Sequence, residues 1–208
     1  MKEFSTAIIL AGGKSRRMGF DKQQLEINKS KMVTKMIRQL QKLFEEVIVV
    51  TNTPTLYEND NCTILTDEVK GKGPLAGIHV ALKQSKSRYN YVIACDMPVI
   101  NEKFIQDMME TIKKESSDSN SPVACVTRFG EWIEPFNAFY SVDFIPYIEA
   151  QFERREKSVH SALPEERTCY ITEEKARSFS PNWDMFFNLN TKEDVEKYLK
   201  EFETKVGD

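Results

Sequence analysis

Near its N-terminus the chain reads Ile8-Ile9-Leu10-Ala11-Gly12-Gly13-Lys14-Ser15-Arg16-Arg17-Met18-Gly19-Phe20-Asp21-Lys22. An apolar run leads directly into a glycine-rich loop that carries four cations. Glycine lets the backbone approach a ligand closely, and backbone N–H groups after a buried strand commonly bind phosphate. The whole chain has a formal net charge of -3. The local cluster of positive charge therefore predicts an anion-binding loop, and a polyphosphate suits it best.

Two familiar phosphate-binding motifs fit poorly. A P-loop needs a glycine five positions before its Gly-Lys-Ser/Thr, and here that position is Ile8, inside the apolar run. A dinucleotide fingerprint is matched by Gly71-Lys72-Gly73-Pro74-Leu75-Ala76. That segment follows an acidic stretch and does not open the first strand–helix unit, so the match is weak. The chain is therefore not interpreted as a P-loop NTPase or a dinucleotide-binding protein.

Composition narrows the class of protein. A length of 208 residues predicts one domain, and 40% hydrophobic with 29% charged residues is ordinary for a globular protein. No apolar run approaches the roughly 18 residues of a membrane span, and we expect no signal peptide before the first strand. The four cysteines and two histidines are isolated, which argues against a zinc site and favours reduced thiols. We expect a cytoplasmic protein that binds neither membrane nor nucleic acid.

Strand-like and helix-like periods alternate, which predicts an α/β fold with a mainly parallel sheet covered by helices on both faces. The segment Trp132–Tyr140 is expected to form strand, turn and strand, and Thr191 is expected to cap a last helix with Asp194 reaching back. Predicted strands are 6–10, 47–50, 63–66, 91–94, 122–127 and 168–171, and predicted helices lie at about 31–44, 75–82, 104–112, 144–152 and from 191.

Polar loops follow four of these strands. They are Ala11–Lys22, Thr51–Thr53, Asp67–Gly77 and Asp96–Pro98. Ligands of parallel α/β sheets bind beyond the carboxyl ends of the strands, so these loops should meet at one rim. An aspartate at such a strand end, beside a polyphosphate, is a natural magnesium ligand. Asp96 is therefore a candidate metal ligand, with turn capping as its alternative role.

These parts suffice for phosphoryl or nucleotidyl transfer, which needs positioning and charge neutralisation and no side-chain nucleophile. The turn Gly73–Gly77 can form a wall against a base or ribose, or simply start a helix. Asn188 and Asn190 lie two residues apart, so in an extended segment both can point into a site. Turn and cap chemistry is the alternative for these asparagines.

Together these segments resemble the molybdenum cofactor guanylyltransferase family, within the Rossmann-like nucleotidyltransferases of the glycosyltransferase-A type, which have a three-layer αβα fold. The matching pieces occur in family order across nearly the whole chain. They are Leu10–Gly19 with Asp21-Lys22, then Asp67, then Gly73–Gly77, then Cys95–Pro98, and last Asn188–Thr191. Lys192 stands where the family usually has proline, and Glu134-Pro135 is the part that varies most.

The resemblance implies transfer of GMP from GTP to molybdopterin, or its molybdenum-loaded form, with magnesium as cofactor and pyrophosphate as product. It implies catalytic roles for Lys22, Asp96 and Arg17, with Asp96 holding the metal and Asn188 and Asn190 facing the acceptor. The GTP-binding residues that it implies are Leu10, Ala11, Gly12, Gly13, Lys14, Lys22, Asn52, Asp67, Gly73, Pro74 and Asp96.

On this interpretation residues 1–208 form a single nucleotidyltransferase domain, with a nucleotide-binding part at 1–127 and an acceptor-side part at 128–208. Transient contact with proteins that deliver molybdopterin or accept the product is expected. Three alternatives stay open: cytidylyl transfer to molybdopterin, nucleotidyl transfer to a sugar phosphate, and a non-catalytic nucleotide-binding protein.

Overall fold

The computed structural model describes residues 1–12, 22–66, 73–117, 121–198 and 200. The described strands are Thr6–Leu10 (β1), Glu46–Val50 (β2), Thr63–Leu65 (β3), Tyr89–Ala94 (β4), Ala124–Phe129 (β5), Trp132–Ser141 (β6) and Thr168–Thr172 (β7). The described helices are Lys22–Leu40 (α1), Pro74–Gln84 (α2), Glu102–Glu115 (α3), Ile145–Glu153 (α4), Val159–Ala162 (α5), Glu173–Phe179 (α6) and Lys192–Tyr198 (α7).

The described strands form one seven-stranded sheet in the order β3-β2-β1-β4-β6-β5-β7. Strands β1 to β4 run parallel, with β1 between β2 and β4, and β7 runs parallel to β5. Only β6, of these described strands, is antiparallel to its neighbours β4 and β5. The predicted mainly parallel sheet is confirmed.

Alternate residues of each strand enter two separate cores. On β1, Ala7 and Ile9 pack with α1, α3 and α6 on one face, while Ile8 and Leu10 pack with α2, α4 and α5 on the other. Successive side chains of a strand point to opposite faces, so a continuous apolar run is what a strand buried on both sides requires. The three-layer αβα architecture predicted from the sequence is confirmed.

The first helix differs in extent from its prediction. It begins at Lys22 and ends at Leu40, where a helix over about 31–44 was expected. The sequence from Gln23 to Lys31 is mostly polar, so the apolar period that signals a helix starts only at Met32. At the other end, Leu43 and Phe44 lie in the turn that closes the helix and donate their N–H groups to Leu40 O at 3.0 and 2.9 Å.

The prediction of strand, turn and strand over Trp132–Tyr140 was wrong, because the segment is one long strand with a bulge. Its pairing with β5 shifts between Cys125↔Phe139 and Thr127↔Glu134. Pro135 in between has no N–H for the ladder, and Asn137 takes a left-handed φ of 52°. The bulge is locked from inside, since Tyr91 Oη donates to Asn137 Oδ1 at 2.6 Å. The turn-like residues therefore bend the strand without ending it.

Candidate active site

The carboxyl ends of the four parallel strands lie level with one another. Leu10 is in register with Val50 and Ala94, and Val50 is in register with Leu65. The chain beyond each end stays attached to its neighbour: Ala11 N donates to Val50 O at 2.8 Å, and Cys95 N donates to Leu10 O at 3.1 Å. For the described residues, the predicted meeting of the loops at one rim is confirmed.

One flank of this rim carries the glycines and Asn52. Gly12 and Asn52 are both exposed, and a Cβ built on Gly12 would lie 3.6 Å from Asn52 Nδ2. Gly77 packs so closely on the end of β1 that a Cβ there would lie 3.0 Å from Leu10 Cδ2. This close approach brings the first turn of α2, with exposed Gly73 and Pro74 at its start, to the same flank. Gly73 has a φ of 65°, which glycine adopts without strain.

Asp96 lies in the middle of the rim, in the turn after β4. The side chain is half-buried, and its Oδ1 atom is shielded from solvent. Its backbone oxygen accepts a hydrogen bond from Leu189 N at 2.8 Å. Leu189 is a buried anchor between Asn188 and Asn190, so this bond places both asparagines beside the Asp96 turn. The structure thus brings together two segments that are distant in sequence.

The far flank holds a cavity of about 380 Å³, here called the C-terminal pocket. It is lined by residues from the segment before α7 and from α7 itself, including Trp183, Asp184, Phe187, Asn188, Asn190 and Lys197. Both predicted acceptor-side asparagines therefore line one cavity. The capping prediction is also confirmed, since Asp194 N donates to Thr191 Oγ1 at 3.1 Å and Asp194 Oδ2 accepts from Thr191 N at 2.8 Å.

Glu134 has a perturbed carboxyl group, and the sequence did not single it out for a role. It lies on β6 just before the bulge, and its Oε1 accepts from Phe136 N at 3.1 Å. Burial raises the pKa of Glu134 to about 7, with a further rise from the negative charge of Asp96. A glutamate followed by proline inside an apolar strand was the available signal.

The sequence relationships agree with this geometry. Residues 7–168 match the MobA-like NTP transferase domain. The chain is 48% identical to the molybdenum cofactor guanylyltransferase of Syntrophotalea carbinolica, over 96% of this chain and 92% of that protein. It is 45% identical to a probable molybdenum cofactor guanylyltransferase of Peptoclostridium acidaminophilum, over 95% and 89% of the two chains. The chain belongs to the molybdenum cofactor guanylyltransferase family.

A solved structure shares the fold of this guanylyltransferase family member. Molybdopterin-guanine dinucleotide biosynthesis protein A from Archaeoglobus fulgidus superposes with a TM-score of 0.77 at 22% identity, covering 96% of this chain and 99% of that one. Within the described part of the chain, no helix has the length and apolarity needed to cross a bilayer.

One described residue of the rim, Asp96, carries the type of oxygen donor that magnesium prefers. The Asp96 carboxylate stands at the rim, in the turn after β4. No cluster of three or more His, Cys, Asp or Glu side chains occurs in the described ranges. Magnesium commonly takes one or two protein carboxylates and completes its shell with phosphate oxygens and water, so one or two acids are sufficient.

Several residues that the sequence assigned to the site lie outside the described residues. They are Gly13, Lys14, Arg17 and Asp67, together with the side chain of Lys22. Lys22 itself opens α1, directly after the glycine-rich loop. Their assigned roles stay predictions.

Proposed function

We propose that this protein transfers GMP from GTP to the terminal phosphate of molybdopterin or its molybdenum-loaded form, releasing pyrophosphate. The observation that carries the proposal is the hydrogen bond from Leu189 N to Asp96 O at 2.8 Å. It joins the acceptor-side asparagines to the candidate metal ligand, while Gly12 and Asn52 lie on the other flank. Two substrates approaching from opposite flanks would meet at Asp96. The sequence identity to molybdenum cofactor guanylyltransferases supports GTP and molybdopterin as these two substrates.

The proposed reaction is an in-line displacement. An oxygen of the acceptor phosphate bonds to the α-phosphorus of GTP, the bond from that phosphorus to the bridging oxygen breaks, and pyrophosphate leaves with the electron pair. A phosphate monoester with a second pKa near 6 is largely a dianion at neutral pH, so no general base is required. The work of the protein is positioning and charge neutralisation.

In this scheme Asp96 would hold magnesium, which would supply positive charge beside the phosphates of GTP. Lys22 and Arg17 are proposed to add positive charge from the glycine-rich loop and the start of α1. Gly12, Asn52 and the turn at Gly73 form the nucleotide flank. A pKa of about 7 leaves Glu134 partly protonated at neutral pH, which limits negative charge next to an anionic substrate. The proposal assigns the nucleotide to residues 1–127 and the acceptor to residues 128–208.

The decisive experiment replaces Asp96 by Ala and by Asn. We expect pyrophosphate release from GTP and molybdopterin, with magnesium as the sole metal, to fall by about 10²–10³-fold or more in both variants. The folded structure, followed by circular dichroism and urea unfolding, should persist. Asp143→Asn is the matched control, because Asp143 is an exposed acid just after β6, at the opposite end of the sheet. Full activity of Asp96→Ala would overturn the proposal.

Nucleotide choice is tested separately by thermal stability with magnesium and GTP, CTP or ATP. A ligand at 100 times its dissociation constant stabilises the folded state by about 2.7 kcal/mol, a shift on the order of 5–10 °C for a domain of this size. Selective stabilisation by GTP supports guanylyl transfer. Stabilisation by CTP alone would indicate cytidylyl transfer. Stabilisation by GTP without pyrophosphate release, when molybdopterin is supplied, would indicate a nucleotide sensor. Cytoplasmic location and contact with a delivery protein stay predictions from the sequence.

A further inference from the structure

The C-terminal pocket has a rigid aromatic wall. Trp183 takes a left-handed φ of 64°, which costs free energy for a residue other than glycine. Its ring is held on two sides: the guanidinium carbon of Arg177 lies 3.9 Å from the ring centre, and the Phe129 ring meets it edge-on at 4.6 Å. A strained conformation that is fixed by packing commonly marks a functional site.

The backbone behind this wall is tied to the bulge of β6. Asn137 Nδ2 donates to Met185 O at 3.1 Å, while the same side chain accepts from Tyr91. Met185 is buried, so the segment between Trp183 and Phe187 is anchored to the core at its centre. The pocket is therefore formed before any ligand arrives, which lowers the entropic cost of binding.

The polar side chains that line the pocket differ in whether they already have partners within the protein. Asp194 already accepts from the Asn190 and Thr191 N–H groups at 2.9 and 2.8 Å, as part of the helix cap. Lys197 Nζ lies 5.1 Å from the centre of the Phe187 ring. In contrast, no hydrogen bond or ion pair joins the Asp184 carboxylate to any other described residue. Asp184 therefore lines this cavity with a carboxylate that no other described side chain engages.

The position of the pocket indicates which substrate it serves. In the strand order β3-β2-β1-β4-β6-β5-β7, Gly12 and Asn52 follow β1 and β2, and Asp96 follows β4. Trp183 contacts Phe129, the last residue of β5, on the opposite side of Asp96. A ligand in the pocket and a nucleotide on the glycine flank would thus approach Asp96 from two sides.

We infer, resting on the proposed function, that the C-terminal pocket binds the pterin ring of the acceptor and that Asp184 recognises its 2-amino and N3–H edge. A carboxylate can accept both of these parallel N–H groups at once, as it does from a guanidinium. Aromatic walls suit a flat bicyclic ring, and about 380 Å³ lies in the usual range for such ligands. Guanine presents the same edge, so the experiment must separate the two rings.

The kinetic test uses Asp184→Asn with Glu174→Gln as control, since Glu174 is an exposed acid on the nearby helix α6. In this variant the side-chain N–H₂ group of asparagine can face the 2-amino and N3–H groups of the pterin ring, and two donors cannot form a hydrogen bond. The KM for molybdopterin should rise by about tenfold or more, while kcat at saturating acceptor and the KM for GTP stay within about twofold. An unchanged KM for molybdopterin overturns the inference. A raised KM for GTP also overturns it, because guanine would then occupy the pocket.

A binding test keeps this inference separate from the reaction. The chain has two tryptophans, and Trp132→Phe removes the one outside the pocket, which is 66% exposed. In this variant, quenching of tryptophan fluorescence reports ligand binding at Trp183 alone. Pterin should bind this variant about tenfold more tightly than lumazine, in which oxygen replaces the 2-amino group, and Asp184→Asn should abolish the preference. Equal binding of pterin and lumazine, or none of pterin, overturns the inference. Failure of the wild-type protein to release pyrophosphate would instead contradict the proposed function.

Discussion

Replacing Glu134 by Gln should remove a pH-dependent loss of stability. The folded protein raises the pKa of this carboxyl from its ordinary value of 4.5 to about 7, mainly through burial and further through Asp96. At pH values between these two pKa values, the folded state retains a proton on Glu134 that the unfolded state has lost. The free energy of unfolding therefore falls as the pH rises through this window, and the loss is complete above the folded pKa.

The magnitude follows from the size of the shift. A rise from 4.5 to about 7 costs the wild-type protein about 3 kcal/mol at pH 8, of which nearly 1 kcal/mol is already lost at pH 5. Relative to wild type, Glu134→Gln should therefore gain about 2.5 kcal/mol of unfolding free energy between pH 5 and pH 8. In thermal melts this corresponds to about 5–10 °C.

Urea unfolding at pH 5, 6, 7 and 8, with a chelator present, measures this difference directly. Glu131→Gln is the control, because it makes the same change of side chain at an acid that is exposed in the turn before β6. Asp96→Asn should reduce the effect at Glu134, because it removes the negative charge that contributes to the shift. A stability difference between Glu134→Gln and wild type that stays constant from pH 5 to pH 8 would refute the reasoning.

Three further tests, two of them with a control variant, address the framework around the site. Gly73→Ala and Gly130→Ala, both at positive φ, should each lower the unfolding free energy by about 1–2 kcal/mol, but only Gly73→Ala should raise the KM for GTP. Tyr91→Phe should cost about 1–3 kcal/mol in urea unfolding, because Asn137 Oδ1 loses its buried donor. Tyr147→Phe should stay near wild type, because the Tyr147 hydroxyl has no hydrogen bond to another described residue. Thr191→Ala should destabilise α7 by about 1 kcal/mol, seen as faster hydrogen exchange in that helix, and unchanged exchange would contradict the cap.

Much of the nucleotide flank could be predicted from the sequence because its signals are local. The apolar run at Ile8–Leu10 is continuous, as a strand buried on both faces must be, and the glycines follow it at once. The cap formed by Thr191 and Asp194 spans only four residues, so its chemistry is also visible in the sequence.

The acceptor flank was less predictable because its contacts are not local. Turn-like residues around Pro135 suggested a break in the chain, but pairing with β4 and β5 kept them in one strand. The raised pKa of Glu134 depends on groups that bury it and on Asp96, which comes from another strand end. Trp183 and Phe129 meet only after β5 and the segment before α7 have packed together.

The sequence by itself determined the α/β class, the two-sided sheet, the glycine-rich loop and the family, because apolar period and motif spacing are properties of neighbouring residues. Only the tertiary structure decided the antiparallel insertion of β6, the burial of Glu134, and the bond from Leu189 that sets the C-terminal pocket beside the rim. The physical reason is that strand pairing, desolvation and cavity shape depend on which distant segments share a core, and short-range patterns do not record that choice.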